Sequence, residues 1–190
     1  MKTASSAQPL PGDFAIWVFI FAELLVFGVL FSAYALSRMA NVGLFDASQA
    51  TLNRSYGLVN TLTLVTSSYF AVRATRAIRL GRSTACGRWL SGTLVLGALF
   101  LAVKLLEFHD DFSRGITLST NLFYMFYLSL TFFHFMHVVL GMVILGFVTY
   151  RTYAGAYDAN RYTGVETGAS FWHMVDLVWI ILFALIYVLH

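Results

Sequence analysis

Residues 122–150 read LFYMFYLSLTFFHFMHVVLGMVILGFVTY, with no Asp, Glu, Lys or Arg among them. About 20 apolar residues in a helix cross the hydrocarbon core of a bilayer, so this stretch is long enough to span it. A helix is the form expected, because it satisfies its own backbone hydrogen bonds in lipid and an isolated strand cannot. Four further apolar stretches share this character: Phe14–Leu36, Tyr56–Ala77, Trp89–Phe108 and Ala169–Leu189. The chain of 190 residues is 59% hydrophobic and only 11% charged, whereas a soluble domain carries about 25% charged residues. That composition excludes a water-soluble enzyme and leaves no room for a separate soluble domain. The prediction is an all-α membrane protein, a five-transmembrane-helix bundle forming a single domain over 1–190, with a polar segment at 1–12.

Turn residues punctuate the stretches. Pro9, Pro11, Gly12 and Asp13 precede the first, Asn53 to Ser55 the second, and Gly115 and Asn121 the fourth. Gly155, Gly164 and Gly168 are expected to fill the last loop. The second stretch is the most polar, with Asn60, Thr61, Thr63, Thr66, Ser67 and Ser68. Such a helix belongs inside a bundle, where hydroxyls and amides find partners on neighbouring helices. With five spans, Lys2, Arg73, Arg76, Arg79, Arg82, Arg88, Arg151 and Arg161 share one side, and Arg38, Arg54 and Arg114 the other. Positive charge accumulates on the cytoplasmic side, so the N-terminus is expected in the cytoplasm and His190 on the periplasmic side. The single cysteine, Cys86, excludes a disulfide framework and a four-cysteine metal site. A formal charge of +3 gives no sign of nucleic-acid binding.

Ionisable groups inside apolar helices cost about 2.5–3.5 kcal/mol each on insertion scales, so each needs a reason. Glu23 lies about 14 Å into the first stretch at 1.5 Å per residue. His134 and His137, then Gly141, share one face of the fourth stretch, with Gly141 able to admit another helix closely. His173 and Asp176 repeat the three-residue spacing in the last, flanked by Trp172 and Trp179; Lys104 and Glu107 repeat it near the end of the third, beside His109 and Asp110. By depth, Glu23, His137, His173 and Asp176 fall in one half of the bilayer, with His134 nearer the middle. This predicts a polar layer inside the bundle. Three uses of it stay open: carboxylate–imidazole pairs that lock packing, a proton relay through Glu23, or ligation of a metal or haem, as in a free-standing proton or metal protein. The Glu-x-x-His pair of di-iron bundles is absent from every stretch.

VNTLTLVTSS at 59–68, LLEF at 105–108, FFHFMHVVLGM at 132–142 and VETGASFWHMVDLVWIILFALIY at 165–187 resemble subunit III of haem–copper oxidases. The opening PGDFAIWVFIFAELLVFGVLFSAY at 11–34 is similar to the first helix of that family's five-helix core, and to the nitric oxide reductase-associated (NorE) group in particular. Subunit III of a bacterial cytochrome c or quinol oxidase is the alternative. The resemblance implies an accessory, non-catalytic subunit in the bacterial inner membrane, serving respiration or denitrification. No cofactor or metal is then expected on this chain; haem and iron or copper belong to catalytic subunit I. A small electron-transfer subunit and phospholipids are the other implied partners, and support of proton supply the implied contribution.

Carried over by motif, Glu23 is the family's buried glutamate, Asn60 and Thr61 its Asn-Thr pair, and Glu107 the carboxylate ending the next helix. His134, His137, Glu166, Trp172, His173, Asp176 and Trp179 match the signatures of the last two helices, and Arg151 a basic position near lipid phosphate; the resemblance implies lipid or subunit contacts at Arg151, Trp172, Trp179, Asn60, Thr61, Gly141 and Glu166. Longer members have two further N-terminal helices that close a lipid-filled cleft. In this sequence the resemblance starts at the third helix, so lipid is expected on an open face or under a partner.

Overall fold

The computed structural model describes residues 13–189; the polar segment at 1–12, with Lys2, and the terminal His190 lie outside the described residues. Six helices follow one another: α1 (Phe14–Ala40), α2 (Val42–Gln49), α3 (Arg54–Arg79), α4 (Ser83–Ser113), α5 (Leu122–Tyr153) and α6 (Thr163–Phe183). A π-helical turn, Ala184–Val188, ends the last of them. The fold is all-helical, as expected. Helices α3, α4, α5 and α6 pack in a closed ring, α3 on α4, α4 on α5, α5 on α6 and α6 back on α3. Helix α1 lies outside that ring against α5 and α6, and α2 touches α1 and α5.

Among the described residues, four helices are long and apolar enough to cross a membrane: α1, α4, α5 and α6 with its π turn. The fifth expected span, α3, has 26 residues, about 39 Å at 1.5 Å per residue, but it is too polar to join them by composition. The cause is where its polar side chains go. Asn60, Thr63, Ser67 and Ser68 are all buried in the ring, and Thr63 returns its hydroxyl to the Val59 carbonyl one turn back (2.8 Å).

Local chemistry sets most boundaries. Asn53 caps α3 by accepting from the Ser55 amide at 3.1 Å, and Asn121 caps α5 by accepting from the Tyr124 amide at 2.9 Å, both satisfying amides that a helix start leaves free. Gly115 and Gly155 follow α4 and α5 with φ of 76° and 74°, a left-handed conformation that glycine adopts without steric cost. Gly164 and Gly168 are a correction: both lie inside α6, which begins at Thr163 rather than Ala169. Gly168 faces Leu145 and Val148 of α5, so its missing side chain serves close helix packing rather than a turn. Helix α4 likewise starts at Ser83, before Trp89. Helix α2 was not anticipated; Arg38 holds its Asp46 at 2.9 Å, and Gln49 donates to the Leu189 carbonyl at 2.9 Å.

Candidate functional site

Trp172 and Trp179 stand seven residues apart on α6, two turns along the same face, and both are fully buried. The Trp172 ring occupies the space left by two glycines. A Cβ on Gly97 of α4 or on Gly141 of α5 would come within 2.9 Å of it. Gly141 therefore does admit a neighbour closely, and the neighbour is this chain's own α6. Each indole N–H finds a hydroxyl on α3: Trp172 donates to Ser67 Oγ at 3.1 Å, and Trp179 to Thr61 Oγ1 at 3.0 Å. The polar residues of α3 thus fix the tryptophans of α6. Asn60, beside Thr61, is fully buried with no side-chain hydrogen bond.

The polar layer expected from depth divides into separate sites. On one side, His137 Nε2 lies 2.9 Å from Glu23 Oε2, and its Nδ1 lies 2.8 Å from the Phe133 carbonyl. A carbonyl only accepts, so Nδ1 carries a proton. The contact to Glu23 then needs one more proton, carried on the imidazole or on the carboxyl. On the other side, His173 Nδ1 meets Ser68 Oγ at 2.6 Å, and Ser68 also bonds Asp176. His134 joins neither group. It is fully buried, its ring centroid 5.2 Å from that of Trp179 and 5.8 Å from that of Phe100, and neither ring nitrogen has a partner. The reason is angular. Positions three apart on a helix differ by about 60° around its axis, enough for His137 to reach α1 while His134 turns into the ring. The tryptophans take the inward face of α6 and leave His173 and Asp176 to α3. Among the described residues, no three His, Cys, Asp or Glu side chains gather as a metal site requires.

A second ionic centre lies at the other end of α4. Lys104 Nζ donates to Glu107 Oε2 at 2.9 Å and to Tyr187 Oη at 3.3 Å. Glu107 Oε1 accepts from Tyr127 Oη at 2.9 Å and from Tyr187 Oη. The Lys104 ammonium also lies 5.0 Å from the Phe108 ring centre and 5.6 Å from that of Trp179, within cation–π range. Sequence reasoning singled out Glu107 but missed its phenolic partners. The available signal was a lysine inside an apolar stretch with a glutamate three residues on.

Of the other expected contacts, Glu166 pairs with Arg79 of α3, tying the start of α6 to the end of α3. Arg151 is exposed in the last turn of α5, its guanidinium 5.9 Å from the Phe147 ring centre.

The family model for cytochrome c oxidase subunit III matches residues 10–190, which includes every helix described above. The chain belongs to the cytochrome c oxidase subunit III family. It is 33% identical to cytochrome c oxidase subunit 3 of Synechocystis over 177 residues, 93% of this chain and 75% of that protein. It is 24% identical over 174 residues to the cytochrome bo(3) ubiquinol oxidase subunit 3 of Buchnera aphidicola, covering 92% of this chain and 84% of that one. A haem–copper oxidase subunit I+III of Aeropyrum pernix is 28% identical over 188 residues, 94% of this chain and 23% of its own length. These relatives are oxidase subunits, so they favour the cytochrome c or quinol oxidase alternative over the nitric oxide reductase-associated grouping. The resemblance to subunit III holds; the nitric oxide reductase-associated grouping within it is not shown by these relatives.

Proposed function

We propose that this chain is subunit III of a bacterial respiratory haem–copper oxidase of the cytochrome c or quinol type, an accessory subunit packed against catalytic subunit I. The observation that carries the reading is the subunit III match over residues 10–190, together with relatives named as oxidase subunits. The Aeropyrum pernix protein, named as subunits I and III in one chain, supports a lasting contact with subunit I. Haem, iron and copper reside in that partner. A small electron-transfer subunit completes the complex, and none of the redox chemistry takes place on this chain.

In this account α3 is the fifth span. Its length suffices, and Thr61, Ser67 and Ser68 on its buried side find hydrogen-bond partners on α4 and α6 rather than in lipid. The arginines at the α3–α4 and α5–α6 turns support a cytoplasmic position for that end of the bundle, in the bacterial inner membrane. Arg151, exposed beside the aromatic Phe147, meets lipid phosphate. The Glu23–His137 pair handles protons for the partner. It supports this role by holding a shared proton, with the Glu23 side chain 19% exposed on the α1 side of the bundle.

The test is affinity purification of the tagged chain from native membranes in mild detergent, read by haem absorbance and subunit composition. A haem-bearing oxidase subunit I is expected in stoichiometric amount. Recovery of the chain alone and colourless, or with a nitric oxide reductase, would overturn the proposal.

A further inference from the structure

The two phenols of the centre around Lys104 make three contacts to carboxylates and have two protons to serve them. Tyr127 Oη lies 2.9 Å from Glu107 Oε1 and 2.9 Å from Asp111 Oδ2. A phenol has a single proton and an ionised carboxylate only accepts. Were Glu107 and Asp111 both ionised, one of these contacts would place two oxygen lone pairs face to face at hydrogen-bond distance. A buried contact of that kind is repulsive. Glu107 Oε1 already takes the Tyr187 proton, and Lys104 sends its protons to Glu107 Oε2 and Tyr187.

We propose that Asp111, Tyr127 and Glu107 form a proton-holding site, with one proton in excess of the phenol's own placed between Asp111 Oδ2 and Tyr127 Oη. The placement follows from the ion pair. Lys104 is fully buried and faces Glu107 at 2.9 Å, so Glu107 keeps the negative charge and Asp111 carries the proton. Asp111 O–H donates to Tyr127 Oη, and Tyr127 O–H donates to Glu107. The ammonium and the Glu107 carboxylate cancel, and the neutral Asp111 adds no charge. Buried charge is tolerated only when paired and hydrogen-bonded, and this distribution meets that condition at each atom.

The site also has a direction. Asp111 sits at the rim, 6% exposed, near the end of α4, while Lys104 lies one to two turns deeper with no exposure. The groups that face Asp111 are Glu107 and Lys104 on its own helix, Tyr127 on α5 and Arg114 beyond the end of α4. When the Asp111 proton passes to water at the rim, Tyr127 turns its O–H from Glu107 to Asp111, and the centre then carries one negative charge. Asp110, next in sequence, has no such surplus: it accepts the Tyr56 hydroxyl at 2.7 Å, one donor for one acceptor.

The experiment is infrared spectroscopy of the intact membrane complex in water and in deuterium oxide, comparing wild type with Asp111→Asn, Asp110→Asn and Tyr127→Phe. An amide at position 111 still donates to Tyr127, so assembly is retained. The Asp111→Asn minus wild-type spectrum is expected to show loss of one protonated-carboxyl C=O band that shifts in deuterium oxide, and Asp110→Asn to leave that band in place. Tyr127→Phe, which removes the acceptor, is expected to move the band to higher frequency. An Asp111→Asn spectrum without a lost band would overturn the proposal. If Asp111→Asn fails to assemble, an unmoved carbonyl band in Tyr127→Phe would overturn it equally.

Discussion

Two ionic centres within the helix bundle differ in character. Lys104 and Glu107 sit inside the helix ring with side chains 0% and 3% exposed, and two phenols complete the carboxylate. Glu23 and His137 meet where α1 lies on the ring, 19% and 8% exposed, and among the described residues the Glu23 carboxyl hydrogen-bonds the imidazole alone. At the first centre an ammonium and two phenols from within the fold surround the carboxylate; at the second the carboxyl is partly exposed at the edge. An ion pair in the interior holds helices in register. An ion pair at the edge can exchange its proton with whatever covers that edge.

The sharpest way to break the contrast is to remove one charge from each. Lys104→Met leaves Glu107 buried without its cation, and such a loss costs about 3–5 kcal/mol. The expected result is poor assembly, read as the yield of chain that co-purifies with its complex, and substantial recovery in Lys104→Met/Glu107→Gln. At the edge, Glu23→Gln keeps the shape and a hydrogen bond, with an expected cost of about 1 kcal/mol and normal yield. Equal losses at the two centres would end the distinction.

Gly141 lies one turn beyond His137 and tests whether the ring's packing is as tight as its ionic centre is closed. A side chain there meets the Trp172 ring at 2.9 Å. Gly141→Val is expected to destabilise by about 1–3 kcal/mol, the usual range for overpacking, with a lower melting temperature of the purified complex as the readout.

The smallest effect belongs to the loop after α5, outside both centres. The Asn160 amide, at 2.8 Å, and then the Arg161 guanidinium hold the Asp158 carboxyl below the usual carboxylate range. A lowered value means the turn's stabilisation is complete above the unfolded value of about 3.9 and is lost as pH falls through the folded value. Amide hydrogen exchange at Asn160 and Arg161 is expected to gain relative to neighbouring amides only in that acidic window. Asp158→Asn is expected to abolish the pH dependence.

Much of this architecture was legible from apolar runs. The charge-free stretch within α5 and the in-span Glu23 marked membrane helices directly, and the motifs around His134 and Trp172 marked the family. Pairing was less legible. Distance along a helix gives height in the bilayer, which is why Glu23, His137, His173 and Asp176 read as one layer. It does not give the angle around the ring, and the two tryptophans, by claiming the inner face of α6, sent His173 and Asp176 to Ser68 instead. Tyr127 and Tyr187 read as bulk among many aromatics, because only the fold brings their hydroxyls to Glu107. The start of α6 was missed for a related reason: glycines at 164 and 168 resemble a loop until Leu145 and Val148 of α5 are seen against them.

The most direct test of the account is sustained turnover of the assembled oxidase carrying Glu23→Gln, measured in proteoliposomes from about pH 6 to 8, a range that brackets the ordinary histidine value. On the proposed proton-handling role of the pair, the prediction is unchanged haem content and subunit stoichiometry with slower steady turnover, because an amide at position 23 cannot take up or release a proton. Turnover equal to wild type throughout that range would contradict it.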